Sequence, residues 1–151
     1  MAPPVRIKVD VNDQGGLAVG ARITAVGGRA GNLRPIVDDL HDMLCRAIDY
    51  QYGRGGPAIG GWKPDLPSTV MRKARLGLDI RVMHETGRLR ASLTKKDHPD
   101  HVFRTTMQGL VLSTKVPYAG HLLDGGRPPV IISQTAADRA TKMIRDYLLE
   151  G

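Results

Sequence analysis

Ile36, Val37, Leu40, Met43, Leu44, Ala47 and Ile48 recur at intervals of three and four residues, a stripe that an α-helix gathers on one side. Asp38, Asp39, Asp42, Arg46 and Asp49 fall on the other side. Pro35 suits a first helical turn, where its missing N–H costs nothing, and Asn32 upstream is a cap. Asp38 and Asp39 are expected near the positive end of the helix dipole. The spacing predicts a helix over residues 33–52. An apolar stripe of this length needs a second layer to cover it.

A small sheet is the expected second layer. Val5, Ile7, Val9 and Val11 alternate with Arg6, Lys8 and Asp10, the period of a half-buried strand. The turn residues 12–16 close it, and Pro3 and Pro4 suit an edge or a free arm. Residues 17–26 fit either a helix (Leu17, Ala21, Ala25, Val26) or alternation (Leu17, Val19, Ala21, Ile23). A short helix is expected there, although Gly20 weakens both. Residues 101–107 and 110–115 read as strands joined at Gln108-Gly109, with Val102, Arg104 and Thr106 facing away from Phe103, Thr105 and Met107. Ser133 caps a C-terminal helix whose apolar face is Ala136, Ala140, Met143, Ile144, Tyr147 and Leu148.

Shorter helices are expected over residues 69–76, capped by Ser68 with Val70, Ala74 and Met71 inward, and around Leu89 and Leu93, capped by Thr86. A third spans residues 118–124, stopped by Gly125-Gly126. The whole is an α+β chain: a small, mainly antiparallel sheet packed against a long amphipathic helix and a C-terminal helix. A single domain over residues 1–151 is expected, with an N-terminal strand and short helix in 1–32. A long Gly/Pro-rich loop covers 53–67 and an extended arm 124–132. The chain has only six aromatic residues against 18 glycines and 10 prolines, so its core must be aliphatic.

One cysteine, Cys45, excludes an intramolecular disulfide framework and a Cys-rich zinc site. No apolar run approaches the roughly 18 residues of a membrane span, and the N-terminus lacks a signal-peptide core, so a soluble cytoplasmic protein is expected. The glycine loop matches neither phosphate-binding fingerprint and follows a helix where those follow a strand. His98-Pro99-Asp100-His101, with Asp97, is expected as a solvated loop, His41 as a polar-face histidine and Cys45 as a buried inert thiol. Ser92, His84 and Glu85 share a segment without a nucleophile arrangement. No catalytic residue, metal or cofactor is expected.

The net charge of +7 is concentrated in residues 53–104, which carry +6. Arg72, Lys73, Arg75, Arg81, Arg88, Arg90, Lys95 and Lys96 make that segment suited to an acidic protein or DNA, or to a solvated face. Against single-strand binding, aromatics for stacking are nearly absent there apart from Trp62.

A set of motifs runs through residues 33–149: Trp62-Lys63-Pro64 after the long helix and glycine loop, then Thr86-Gly87-Arg88-Leu89-Arg90-Ala91-Ser92-Leu93, then Tyr118-Ala119 followed by Gly125. In that order they resemble the tail-completion and virion-morphogenesis proteins of tailed bacteriophages. The long helix ends in Tyr50 and Tyr52 where members often carry Phe, and the usual Phe after Gly126 is missing. The resemblance implies a non-enzymatic virion protein in a ring, typically a hexamer, at the head–tail junction. It would contact the tail tube protein and head-side connectors, sit in the neck or proximal tail, and pass through the host cytoplasm during assembly. Thr86, Gly87, Leu89, Ser92, Leu93, Tyr118, Ala119 and Gly125 would define the fold, with Gly87 allowing close backbone approach. Arg54, Trp62, Lys63, Arg127, Pro128 and Pro129 would make intersubunit contacts. Arg72, Lys73, Arg75, Arg88, Arg90, Lys95 and Lys96 would face an acidic neighbour or the genome. A small nucleic-acid-binding protein and a head–tail adaptor or stopper are the alternative expectations.

Overall fold

The computed structural model describes residues 6–11, 20–26, 32–54, 62–82, 84, 86–124 and 127–150. Its elements are strands β1 (Arg6–Val11) and β2 (Gly20–Val26), helices α1 (Arg34–Gly53), α2 (Pro67–Arg75) and α3 (Arg88–Thr94), strands β3 (His101–Thr106) and β4 (Gly109–Thr114), and helices α4 (Ala119–Asp124) and α5 (Gln134–Glu150). The fold is α+β. The four strands pair antiparallel in the order β1-β2-β4-β3, and α1 packs on β4 and β3 and against α3 and α5.

Register explains why one face of the sheet is apolar. Val9, Ile23, Leu110 and Thr105 stand in one row, and Ala21, Leu112 and Phe103 in the next. Ile23, Leu110 and Leu112 are fully buried against Leu40, Leu44 and Ile48 of α1. The neighbouring rows, Lys8-Thr24 and Asp10-Arg22-Val111-Arg104, point the other way and carry the polar side chains. The hairpin loop also anchors the long helix. Met107 O accepts the N–H of Leu33 at 2.8 Å, and Gln108 O accepts that of Ala25 at 2.9 Å. At the same end Asn32 Oδ1 takes the Arg34 N–H at 3.1 Å, and Tyr147 of α5 donates its hydroxyl to Asn32 O at 2.9 Å. Ser133 caps α5 through the Ala136 N–H.

Several local expectations are corrected. Residues 20–26 form a strand, not a helix, and Gly20 is required by it: a Cβ there would lie 2.3 Å from Leu112 O. The turn of the β3–β4 hairpin is Met107-Gln108, since Thr106 pairs with Gly109. Gly109 belongs to the strand because a Cβ on it would meet Ile23 O at 1.8 Å. The loop expected over 53–67 is shorter at both ends, with Gly53 closing α1 and Pro67 opening α2; residues 55–61 lie outside the described residues. Helix α2 has no side-chain cap from Ser68, and its Met71 and Ala74 are exposed; Lys73 is the side chain it buries. Asp38 and Asp39 fall beyond the first turn of α1, where the dipole has little effect.

Helix α3 opens on Gly87 at φ 77°, a left-handed conformation that glycine adopts without steric cost. A Cβ there would meet nothing within 4 Å, so the glycine answers a backbone demand and not a close approach. Thr86 Oγ1 accepts the Arg88 N–H at 3.3 Å, one position before the formal cap. Leu89 and Leu93 are buried below. Ser92, also buried, ties α3 to β4 through Thr114 Oγ1 at 2.7 Å.

Candidate functional site

Helix α2 and the arm after α4 converge on Asp65, the residue that follows the Trp62-Lys63-Pro64 motif. Lys73 Nζ of α2 reaches Asp65 Oδ2 at 2.7 Å, and Arg127 Nη1 of the arm reaches Oδ1 at 2.7 Å. Arg127 Nη2 also donates to Pro64 O at 2.8 Å, and Lys73 to Arg81 O at 3.3 Å. One residue further along the arm, Pro128 O accepts the indole N–H of Trp62 at 3.0 Å. The Trp62 ring packs edge-on to Tyr52 at the end of α1, centroids 4.8 Å apart. Burial works against ionising Asp65, but the Lys73 and Arg127 hydrogen bonds outweigh it and hold the carboxyl below its usual range.

This clasp corrects two expectations. Trp62 is 5% exposed and Pro129 is fully buried, so both are packed inside the chain's own fold. Arg127 and Pro128 are half-buried and bonded to the same loop. Of the residues expected at subunit contacts, Arg54 and Lys63 stay exposed, Arg54 lying over the Tyr50 ring at 5.4 Å. Lys73, 4% exposed, is excluded from meeting DNA or a partner. Arg88 pairs with Asp100 at 2.9 Å, Arg90 with Asp49 at 2.8 Å, and Lys96 with Asp42. Arg72, Arg75 and Lys95 are exposed. The excess positive charge is thus partly consumed in bracing α3 and its following turn against α1 and against Asp100 just before β3.

A cleft of about 420 Å³ opens beside the clasp, bounded by α2, α3 and α4. Asp65, Lys73, Thr86, Arg88, Leu89, Tyr118 and Arg127 line it. Residues of the Thr86, Tyr118 and Arg127 segments, widely separated in sequence, therefore share one concave surface. Ala119, the first residue of α4, is buried; Gly125 lies outside the described residues. Exposed apolar side chains run beside this cleft's helix: Leu66 is 68% exposed, Met71 63%, Leu76 60% and Ile80 53%.

A second cluster lies where α1 meets the sheet edge. His41 and Cys45, one helical turn apart, face His101 at the start of β3, and one ligating atom from each lies within 4.8 Å of the others. The two Nε2 atoms are 2.8 Å apart. His101 Nδ1 is bonded to Ser92 O at 2.8 Å, so its proton sits there and Nε2 is the free acceptor. The His41 ring stacks on Phe103 with centroids 3.7 Å apart and planes 7° from parallel. His41 is therefore buried, against the expectation of a polar-face residue. Burial first, then His101 and Lys96, push its pKa down to about 4. Cys45 is buried as expected, and burial raises its thiol to about 11. In the sequence His41 reads as a polar-face residue and Cys45, apart from it, as an inert thiol, and the third member comes from a strand sixty residues away.

No helix among the described residues is long and apolar enough to cross a membrane. Comparison with protein-family models, curated proteins and solved structures finds no match.

Proposed function

We propose that the chain is a structural, non-catalytic virion subunit of a tailed bacteriophage, forming a ring, typically hexameric, at the head–tail junction that completes the tail and joins it to the head. The ordered motif set is the primary support. The single observation that carries it further is that two of those motif segments, through residues 86–89 and Tyr118, line one cleft beside the clasp of Asp65, Lys73 and Arg127. Two motifs far apart in sequence that share one concave surface are harder to obtain by chance than short matches in sequence alone.

The contact surface of such a ring differs from the one the sequence suggested. Trp62 anchors the loop within the subunit, while Leu66, Met71, Leu76 and Ile80 present exposed apolar area along and after α2. Apolar side chains concentrated on one stretch are the kind of surface that subunits bury on assembly. Strands β1 and β3 stand at the two ends of the sheet and offer edges for pairing. Tail tube and head-side connector proteins are the partners above and below the ring, and Arg75 and Lys95 are among the exposed cations suited to an acidic neighbour or the DNA path. In phage deleted for this gene, filled heads and unattached tails should accumulate, and a plasmid copy should restore joining. Normal joined particles without the gene would refute the role.

A further inference from the structure

We infer that His41, Cys45 and His101 form a binding site for one borderline-soft divalent metal ion of the zinc class, with the fourth position left to solvent. The inference does not depend on the neck role. Two of the ligands project from one face of α1 at i, i+4, and the third comes from the first residue of β3, both regular elements. The ligand set is imidazole and thiolate, which suits zinc and its neighbours and not the oxygen-seeking magnesium or calcium.

The supporting contacts are those that metal-ligating histidines carry. Ser92 O fixes the His101 tautomer, leaving the Nε2 lone pair aimed at His41. Ser92 itself is held by its hydroxyl on Leu89 O at 2.7 Å. Phe103 holds the plane of the His41 ring. Tetrahedral zinc at its usual bond lengths sets two nitrogens roughly 3.3 Å apart, so the 2.8 Å pair must open by about half an ångström. Lys96 and Asp42, the nearest charges, neutralise each other in an ion pair. His101 is half-buried and gives the site its access to solvent.

Proton balance is simple. The Cys45 S–H bond breaks as the metal–sulfur bond forms, and that proton goes to solvent. The His41 proton moves from Nε2 to Nδ1 through exchange with water. One proton leaves per metal bound, with no change of oxidation state. A neutral hydrogen bond from His41 Nε2–H to His101 Nε2 is what the same geometry gives without metal, and it assigns the thiol no part.

The test uses the full chain, reduced, stripped with a chelator, and titrated with Co2+ and then Zn2+. Binding should saturate at one equivalent and give thiolate-to-cobalt charge-transfer absorption with intense tetrahedral d–d bands, which Zn2+ displaces. Because the chain has one cysteine, that thiolate signal reports Cys45 alone. Cys45→Ala should abolish the band, and Cys45→Ala and His101→Gln should each weaken zinc binding by at least about tenfold, the lower end of what loss of a supporting contact costs. Circular dichroism checks that each variant is folded, and should either unfold, the wild-type cobalt spectrum decides alone. A six-coordinate spectrum without thiolate absorption, or zinc affinity unchanged in a folded Cys45→Ala protein, would overturn the site and assign the ion to histidines outside the cluster such as His98 and His121.

Discussion

Arg127 and Asp65, sixty-two residues apart in sequence, meet at 2.7 Å, and the same carboxylate takes the buried ammonium of Lys73 through its other oxygen. Two cations on one carboxylate lock the arm, the loop after the glycine stretch and helix α2 into one unit. All three residues of that lock line the cleft that Thr86 and Tyr118 also line. Removing a partner from the lock exposes the cost of a buried charge left alone.

Asp65→Asn should therefore destabilise the isolated subunit by about 3–5 kcal/mol, measured by urea unfolding, because Lys73 at 4% exposure loses its counter-charge. Replacing Lys73 by Met in the same protein should restore part of the loss. A single variant within about 0.5 kcal/mol of wild type would mean that the cluster is solvated in solution.

The same carboxylate sets an acid limit. Its folded pKa lies below the unfolded value of about 3.9, so its contribution to stability is complete above that value and is lost as pH falls through the folded pKa. Stability of the wild type measured from pH 6 downward should fall in that acid window more steeply than stability of Asp65→Asn. Parallel acid limbs would show that Asp65 titrates normally.

Much of this frame was legible in the sequence. The α1 stripe and the β1 and β3 alternations are local periodicities, and β4 follows from the hairpin they imply. Strand β2 was not legible because its inward residues include Ala21 and Ala25, small enough for either structure, and because Gly20 answers to the backbone of β4. The hairpin turn was misplaced by one residue for the same reason: Gly109 looks like a turn glycine but is needed where Ile23 O approaches. Lys73 and Trp62 read as surface residues by type, whereas their burial is decided by partners more than seven residues away, Asp65 and Pro128. His41 reads as a polar-face residue and Cys45 as an inert thiol, because the burial of His41 and the approach of His101 depend on the sheet topology.

Two glycines should respond to alanine for different reasons. Gly109→Ala forces a Cβ into the Ile23 carbonyl and should cost about 1–3 kcal/mol, the range of overpacking. Gly87→Ala meets no atom within 4 Å and should cost about 1–2 kcal/mol, the cost of a left-handed backbone. Gly87→Asn should recover part of that, since Asn tolerates this conformation, while Gly109→Asn should not. Thermal melts of the four variants check the contrast.

Trp62→Ala should lower the stability of the isolated subunit by about 3–5 kcal/mol, since a buried indole and its bond to Pro128 O are lost together. Trp62→Phe should recover most of the packing and leave a deficit of about 1 kcal/mol for the missing hydrogen bond. Chemical denaturation of the monomer reads both. An unfolding midpoint unchanged in Trp62→Ala would return this residue to the subunit interface.

Met71→Glu and Leu76→Glu test the opposite behaviour. Both side chains are more than half exposed, so monomer stability should stay within about 0.5 kcal/mol of wild type. Ring formation and head–tail joining should nonetheless fail, because each substitution places a charge on the apolar surface proposed to be buried between subunits. Joining at wild-type yield with either variant would move the interface elsewhere.

The most direct measurement of the central claim is where the protein sits in a finished particle. Phage carrying an epitope-tagged copy, purified and labelled with gold-conjugated antibody, should show label at the junction of head and tail and nowhere else along the virion. Particles that are infectious and carry no label, confirmed free of the protein by mass spectrometry, would contradict the account.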